Sequence, residues 1–148
     1  MYARKRGSSG STRPLRTTAP NWVRHSAKEV ELLVIKLRRE GMNPSKIGLT
    51  LRDSYGIPSV KIITGKKIVQ VLKEHKMPLA LPEDLSNLIK RAIRIRKHLG
   101  PNKKDLHSKR GLQLNEAKIR RLVKYYKKQG LLPAEWKYTA DKAALLVE

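Results

Sequence analysis

The stretch Asn102 to Lys128, NKKDLHSKRGLQLNEAKIRRLVKYYKK, decides the fold of this chain, because a polar loop here feeds a segment whose apolar residues recur at helical spacing. Advancing about 100° per residue places Leu112, Ile119, Leu122, Val123 and Tyr126 in one sector and Lys109, Arg110, Arg120, Arg121, Lys124, Lys127 and Lys128 opposite. The first set predicts a stripe facing a core, and the second a surface for a polyanion. Tyr125 falls at the edge between them, near Lys118 and Arg121. There it either caps the core or offers its phenol and ring to sugar, phosphate or base.

The loop that precedes this helix has a different chemistry. Asp105 and Ser108 are short acceptors, and His98 and His107 carry donors suited to base edges and 2′-hydroxyls. A carboxylate facing RNA is useful only as a specific acceptor, from a guanine amino group or a 2′-hydroxyl in the shallow minor groove of an A-form helix. Asp105 or Ser108 can equally serve as the helix N-cap, and the two oxygens of Asp105 allow both roles.

Working outward, Leu81-Pro82-Glu83-Asp84 opens a helix to about Leu99, with proline in its first turn and two acids at the positive end of the dipole. Leu85, Leu88, Ile89, Ala92 and Ile95 share one face; Lys90, Arg91, Arg94 and Lys97 occupy the others. Arg96 falls on the apolar side and is expected to snorkel or to reach RNA near the loop. Gly100-Pro101 breaks the helix, so segments 82–99 and 106–129 fold back as an antiparallel hairpin with the His98 to Ser108 loop at its tip. After Gly130, Pro133 is expected to begin a short helix to about Val147, with Trp136 and Tyr138 as packing anchors.

These residues resemble a known family. His98-Leu99, Lys103-Lys104-Asp105, His107-Ser108-Lys109-Arg110-Gly111-Leu112 and Arg120-Arg121-Leu122 with Tyr125 are similar to the signature of small-subunit ribosomal protein fifteen, across about the last half of the chain. The resemblance implies a primary rRNA-binding protein that grips a three-way junction and a nearby minor-groove site in the central domain of the small-subunit rRNA, and that helps order assembly. It further implies neighbouring small-subunit ribosomal proteins as partners and a bridge to the large subunit. Carried over by position, His98, Asp105 and Ser108 are the implied minor-groove contacts, and Tyr125 sits with the basic face near the junction. Two departures stand out: Asn102 and Leu106 replace motif histidines, and Ala80-Leu81-Pro82-Glu83-Asp84 replaces the T-G-S-x-E-x-Q run of bacterial members. The longer N-terminus and the His-Ser-Lys-Arg-Gly run resemble archaeal members.

Composition agrees with a polyanion partner. The chain has 148 residues and a net charge of +22, with an isoelectric point near 10.6. Self-repulsion of that size opposes compaction until a polyanion neutralises it. With no Phe and two Trp, the core must be mostly Leu, Ile and Val. The absence of Cys excludes a disulfide framework, and no apolar run approaches the roughly 20 residues of a membrane span. The basic start followed by Gly, Ser, Thr and Pro does not read as a secretory signal, so a cytoplasmic protein is expected.

Residues 1–25 carry Arg4, Lys5, Arg6, Arg13, Arg16 and Arg24 with no acid. They read as an extended basic tail that binds RNA, or as a tail that merely aids solubility. Residues 26–80 read as a helical extension. Ser26-Ala27-Lys28-Glu29 is a capping box for a helix to about Glu40, its stripe formed by Val30, Leu33, Val34 and Leu37. Asn43-Pro44 starts a second helix to about Tyr55, and Thr64 is expected to cap a third containing Ile68, Val71 and Leu72. Residues 81–148 complete the rRNA-binding hairpin and the C-terminal helix.

The predicted fold is therefore all-α: a helical domain with an antiparallel hairpin, an N-terminal helical extension and an extended basic tail. The candidate RNA-binding set is His98, Lys103, Lys104, Asp105, His107, Ser108, Lys109, Arg110, Lys118, Arg120, Arg121, Lys124, Tyr125 and Lys128, with Arg4, Lys5, Arg6, Arg13 and Arg16 of the tail. No catalytic residue, metal, cofactor or small-molecule substrate is expected. Gly65-Lys66-Lys67 lacks the spacing of a phosphate loop and reads as the first turn of the third helix; His25, His75, His98 and His107 form no metal pattern. The alternative function is helix-turn-helix DNA or chromatin binding around Ile47-Gly48 and Leu51. A membrane-surface role is disfavoured because the basic helices lack aromatic anchors.

Overall fold

The structure, a computed structural model, describes residues 18–77 and 79–139. Residues 1–17 of the expected basic tail, with Arg4, Lys5, Arg6, Arg13 and Arg16, and the expected helical residues 140–147 lie outside the described residues. Those described are helical and form no strand, in agreement with the all-α expectation. The chain separates into two compact units, Met1–Pro78 and Leu79–Glu148.

The first unit contains α1 (Ala27–Arg39), α2 (Pro44–Ser54), α3 (Val60–Thr64) and α4 (Ile68–Glu74). The capping box forms: the Glu29 amide donates to Ser26 Oγ at 3.3 Å, and the Ser26 amide donates to Glu29 Oε2 at 2.9 Å. At the other end of α1, Gly41 takes a left-handed φ of +83°, and the Met42 amide returns to the Leu37 carbonyl, satisfying an orphan acceptor of the last turn. Val30, Val34, Leu37, Ile47, Leu51, Ile57, Val60, Val71 and Leu72 make the core of this unit.

The sequence reading needs two corrections here. Thr64 does not cap the third helix; it ends a five-residue α3 that the pattern did not reveal, its hydroxyl donating to the Val60 carbonyl at 3.0 Å. Gly65-Lys66-Lys67 is not the first turn of a helix but the link between α3 and α4, with Gly65 left-handed and Lys67 at the N-cap of α4. Ile47, Gly48 and Leu51 lie inside α2, the second helix expected from Asn43-Pro44, with Ile47 and Leu51 buried.

The second unit is the hairpin of α5 (Glu83–Leu99) and α6 (Leu106–Lys128). Leu85, Ile89 and Ala92 of α5 pack with Ile119 and Val123 of α6, and Leu81 and Leu132 extend the cluster at the open end. Three polar contacts join the two helices. The Tyr126 hydroxyl donates to Asp84 Oδ2 at 2.6 Å, and Asn115 Nδ2 donates to the Leu88 carbonyl at 2.8 Å. Arg96 pairs with Glu116. Burial, reinforced by the bond to Asp84, pushes the Tyr126 phenol well above its ordinary pKa.

Arg96 neither snorkels away from the apolar side nor reaches the loop. Its guanidinium satisfies the single acid of α6 and lies 5.8 Å from the centre of the Tyr138 ring, a cation–π distance. Beyond Gly130, residues 133–139 contain a turn and an irregular segment rather than the expected helix. Leu132 is buried, and Trp136 and Tyr138 pack on the hairpin core as anchors, which two residues spaced by two do in an extended run and not on one helical face.

Candidate nucleic-acid interface

The tip of the hairpin is held by its own side chains. Asp105 is the N-cap of α6: Oδ1 accepts from the Ser108 amide at 2.9 Å, and Oδ2 lies 2.9 Å from His98 Nε2. An ionised carboxylate only accepts, so the ring donates from Nε2. Bonds from Ser108, then from His98, hold the Asp105 carboxyl well below the usual carboxylate range. Asn102 Nδ2 donates to the His98 carbonyl at 2.9 Å and lies 3.4 Å from His98 Nδ1. The residue that replaces a motif histidine thus closes the loop onto the end of α5.

Around this latch, Lys103, Lys104 and His107 are exposed, Ser108 is half-buried, and Leu106 is 71% exposed. His98 and Asp105 are brought together, and His107 stays exposed in the first turn of α6. The expected alternative uses of Asp105 are therefore compatible: a carboxylate has about four lone-pair sites, and the internal donors from Ser108 and His98 do not fill them all.

Along α6, Lys109, Arg110, Lys118, Arg120, Arg121, Lys124 and Lys128 are all exposed. The sole acid of the helix, Glu116, is turned inward to Arg96, so it does not offset them. Arg110 also bonds to Gln113 Oε1 at 3.2 Å, and Arg121 Nε to the Ala117 carbonyl at 3.3 Å, which holds two of the guanidinium groups near the helix surface. Tyr125 is 54% exposed, its ring edge-on to Tyr126 at 5.3 Å between centres. It belongs to the surface, not to the core.

Lys127 departs from the wheel. It is half-buried and donates to the Ala134 carbonyl at 2.6 Å, so it ties the C-terminal segment down instead of joining the cationic face. Asn115 and Glu116 were missed as structural residues. The signal for each was present, since Asn115 falls in the apolar sector of the same wheel and Glu116 is the lone acid among many cations. Among the described residues there is no cluster of three metal-ligating side chains and no helix long and apolar enough to cross a membrane.

Residues 1–57 match the family model described as Ribosomal S13/S15 N-terminal domain, and residues 66–146 match Ribosomal protein S15. The chain is also 50% identical over 147 residues to the Small ribosomal subunit protein uS15 of Methanoculleus marisnigri, an alignment covering 99% of this chain and 97% of that protein. The hairpin with its His98–Asp105 tip, the cationic α6 and the helical N-terminal unit are thus parts of a chain that belongs to the ribosomal protein S15 family, in its archaeal form.

Proposed function

We propose that the α5–α6 hairpin binds a helical junction of the small-subunit rRNA, with its tip in an adjacent minor groove and its α6 face on phosphates. The broader role follows from the family: the protein is a structural constituent of the small ribosomal subunit, not an enzyme, and resides in the ribosome in the cytoplasm. The observation that carries the finer reading is the inward turn of Glu116 to Arg96, which keeps the one acid of α6 away from the exposed row of Lys109, Arg110, Lys118, Arg120, Arg121, Lys124 and Lys128. Such a row supplies affinity without sequence information.

Discrimination comes from the tip. His98, Asp105 and Ser108 are held in one geometry before RNA arrives, which lowers the ordering cost of binding. The open lone pairs of Asp105 accept from a guanine amino group or 2′-hydroxyl, while Lys103, Lys104 and His107 reach the flanking backbone. Tyr125, exposed beside Lys118 and Arg121, offers its hydroxyl and ring at the junction. In this reading residues 1–25 are a basic arm in which Arg4, Lys5, Arg6, Arg13 and Arg16 neutralise further phosphates, residues 26–80 an extension, and residues 81–148 the rRNA-binding part. Neighbouring small-subunit proteins are the further partners, and a contact to the large subunit completes the set implied by the family.

The test is discrimination. Replacing Asp105 by Ala should narrow the affinity ratio between a branched small-subunit rRNA fragment and a random RNA duplex, more than it weakens binding to the duplex. Equal losses on both RNAs would remove the tip from recognition.

A further inference from the structure

The hairpin has a second basic side that the tip and α6 do not use. On α5, Lys90, Arg91, Arg94 and Lys97 follow one another on the arc opposite Leu85, Ile89 and Ala92; the last three cations are exposed and Lys90 is half-buried. The only acids of α5, Glu83 and Asp84, sit in its first turn. Asp84 is engaged by the Tyr126 hydroxyl and the Leu85 amide. Among the described residues, none of these four cations has an ion-pair partner.

Elsewhere on the chain exposed cations do find acids, as Arg52 does in Asp53 and Lys66 in Glu74. Arg91 and Arg94, Lys90 and Arg94, and Arg94 and Lys97 are like-charge neighbours at i,i+3 or i,i+4, an arrangement that destabilises an isolated helix. We propose that this outer face of α5 is a second phosphate-binding surface, which holds a separate RNA segment while α6 and the tip hold the first.

Geometry separates the two surfaces. The apolar side of α5 packs on that of α6, so their outer faces point in opposite directions. With an axis separation of 8–10 Å and a backbone-plus-side-chain radius of about 5 Å for each helix, the two sets of charges stand roughly 20 Å apart. That exceeds two Debye lengths at physiological salt, about 8 Å each, so one RNA helix seated on α6 leaves the α5 cations unneutralised. From Lys90 to Lys97 the face runs seven residues, about 10 Å, enough to meet a few successive phosphates.

The occupant is RNA rather than an acidic protein or a lipid surface. Asn87 and His98 are the other exposed residues of this arc, the His98 ring is bonded to Asp105, and no exposed aliphatic side chain is available to fill a partner's pocket or enter a bilayer. Protein interfaces and membrane-surface helices both need such anchors. A purely cationic strip suits a backbone that offers charge and hydrogen-bond acceptors.

The inference rests on the proposed role of α6 as the first RNA surface, and a two-colour energy-transfer experiment on the full chain separates the two. A donor-labelled branched rRNA fragment and an acceptor-labelled short RNA duplex are mixed with one equivalent of protein. The wild type should bring the two RNAs together. Lys90→Gln, Arg91→Gln, Arg94→Gln and Lys97→Gln combined should abolish transfer, leave binding of the branched RNA within about twofold, and lower the log–log salt slope of duplex capture by about three.

Glutamine keeps helix propensity, and unchanged far-UV circular dichroism identifies a folded variant. Three results overturn the inference: transfer that survives the four substitutions, a folded variant that loses the branched RNA equally, or polyglutamate or anionic vesicles displacing the duplex as well as RNA of equal charge does. Failure of the α6 reading shows differently, as a wild type with no preference for the branched RNA and an unaltered affinity when α6 cations are removed.

Discussion

Replacing Arg120, Arg121 and Lys124 together by Gln tests the central electrostatic proposition. Seven exposed cations lie along α6, namely Lys109, Arg110, Lys118, Arg120, Arg121, Lys124 and Lys128. At about 0.7–0.9 per neutralised phosphate, full engagement of that row contributes a log–log slope of about 5–6. Over a fourfold rise in salt this amounts to about three decades of affinity. Removing three of the seven should reduce the slope by about 2–3 and the salt-induced loss to about two decades. Other basic parts of the chain add to the absolute slope, so the difference between wild type and variant is the quantity to read. Anisotropy titrations of a labelled branched RNA at several salt concentrations measure it. Helix content should be retained, because these side chains are exposed and Gln is a good helix former. An unchanged slope in a folded variant would refute the reading of α6 as a phosphate-binding face.

Four further outcomes follow from contacts inside the two units. Asn115→Ala removes the 2.8 Å bond to the Leu88 carbonyl at a buried site and should cost about 1–2 kcal/mol, or a drop of several degrees in the melting temperature. Glu116→Gln leaves Arg96 without its charge partner; with side chains 28% and 20% exposed, the cost should fall to about 1–3 kcal/mol, below the 3–5 of a fully buried pair, as read by urea unfolding. Lys76 is the one described non-glycine residue with positive φ, +56°, so Lys76→Gly should stabilise the first unit by about 0.5–1 kcal/mol in the same assay. For Asp105, the folded pKa lies below the unfolded value of about 3.9 because of its bonds to Ser108 and His98. Its stabilisation is therefore present above that value and lost as pH falls through the folded one. The melting-temperature gap between wild type and Asp105→Ala should be open at neutral pH and close below about pH 4; a gap independent of pH would contradict the assignment.

The parts of the fold legible in the sequence are those whose signals are local and periodic. The α5–α6 hairpin follows from two apolar stripes separated by Gly100-Pro101, and the start of α1 follows from Ser26 and Glu29, whose reciprocal bonds form as the spacing predicts. What failed depends on partners distant in sequence or on segments too short for periodicity. Five residues of α3 span little more than one turn, so Thr64 looked like a beginning when it is an end. Pro133 suggested a helix, yet the spacing of Trp136 and Tyr138 lets both reach the hairpin core from an irregular segment. Arg96 looked misplaced on its own helix because the acid that satisfies it is twenty residues away. At the tip, residue types identified the acceptors and donors, but the bond from Asn102 to the His98 carbonyl depends on how the loop closes and has no signature in the sequence.

The polar contacts between α5 and α6 explain how so small a core can present its charges in a fixed pattern. Leu, Ile, Val and Ala stripes tolerate sliding, since one aliphatic contact resembles the next after a turn of about 5.4 Å. Asn115 on Leu88, Arg96 on Glu116 and Tyr126 on Asp84 do not tolerate it. A slip by one turn would leave a buried amide, an ion pair and a phenol without partners, at about 1–3 kcal/mol for each unsatisfied group. The net worth of each contact in the correct register is modest, but the penalty for a wrong register is their sum. The same register brings His98 to Asp105 across the tip. Substituting Asn115 and the Arg96–Glu116 pair by aliphatic residues should therefore yield a hairpin whose stability is largely preserved but whose tip samples more than one geometry. The amide signals of Asp105 and Ser108 would then broaden or multiply in nuclear magnetic resonance spectra, and a single sharp set would show that the apolar stripes alone fix the register.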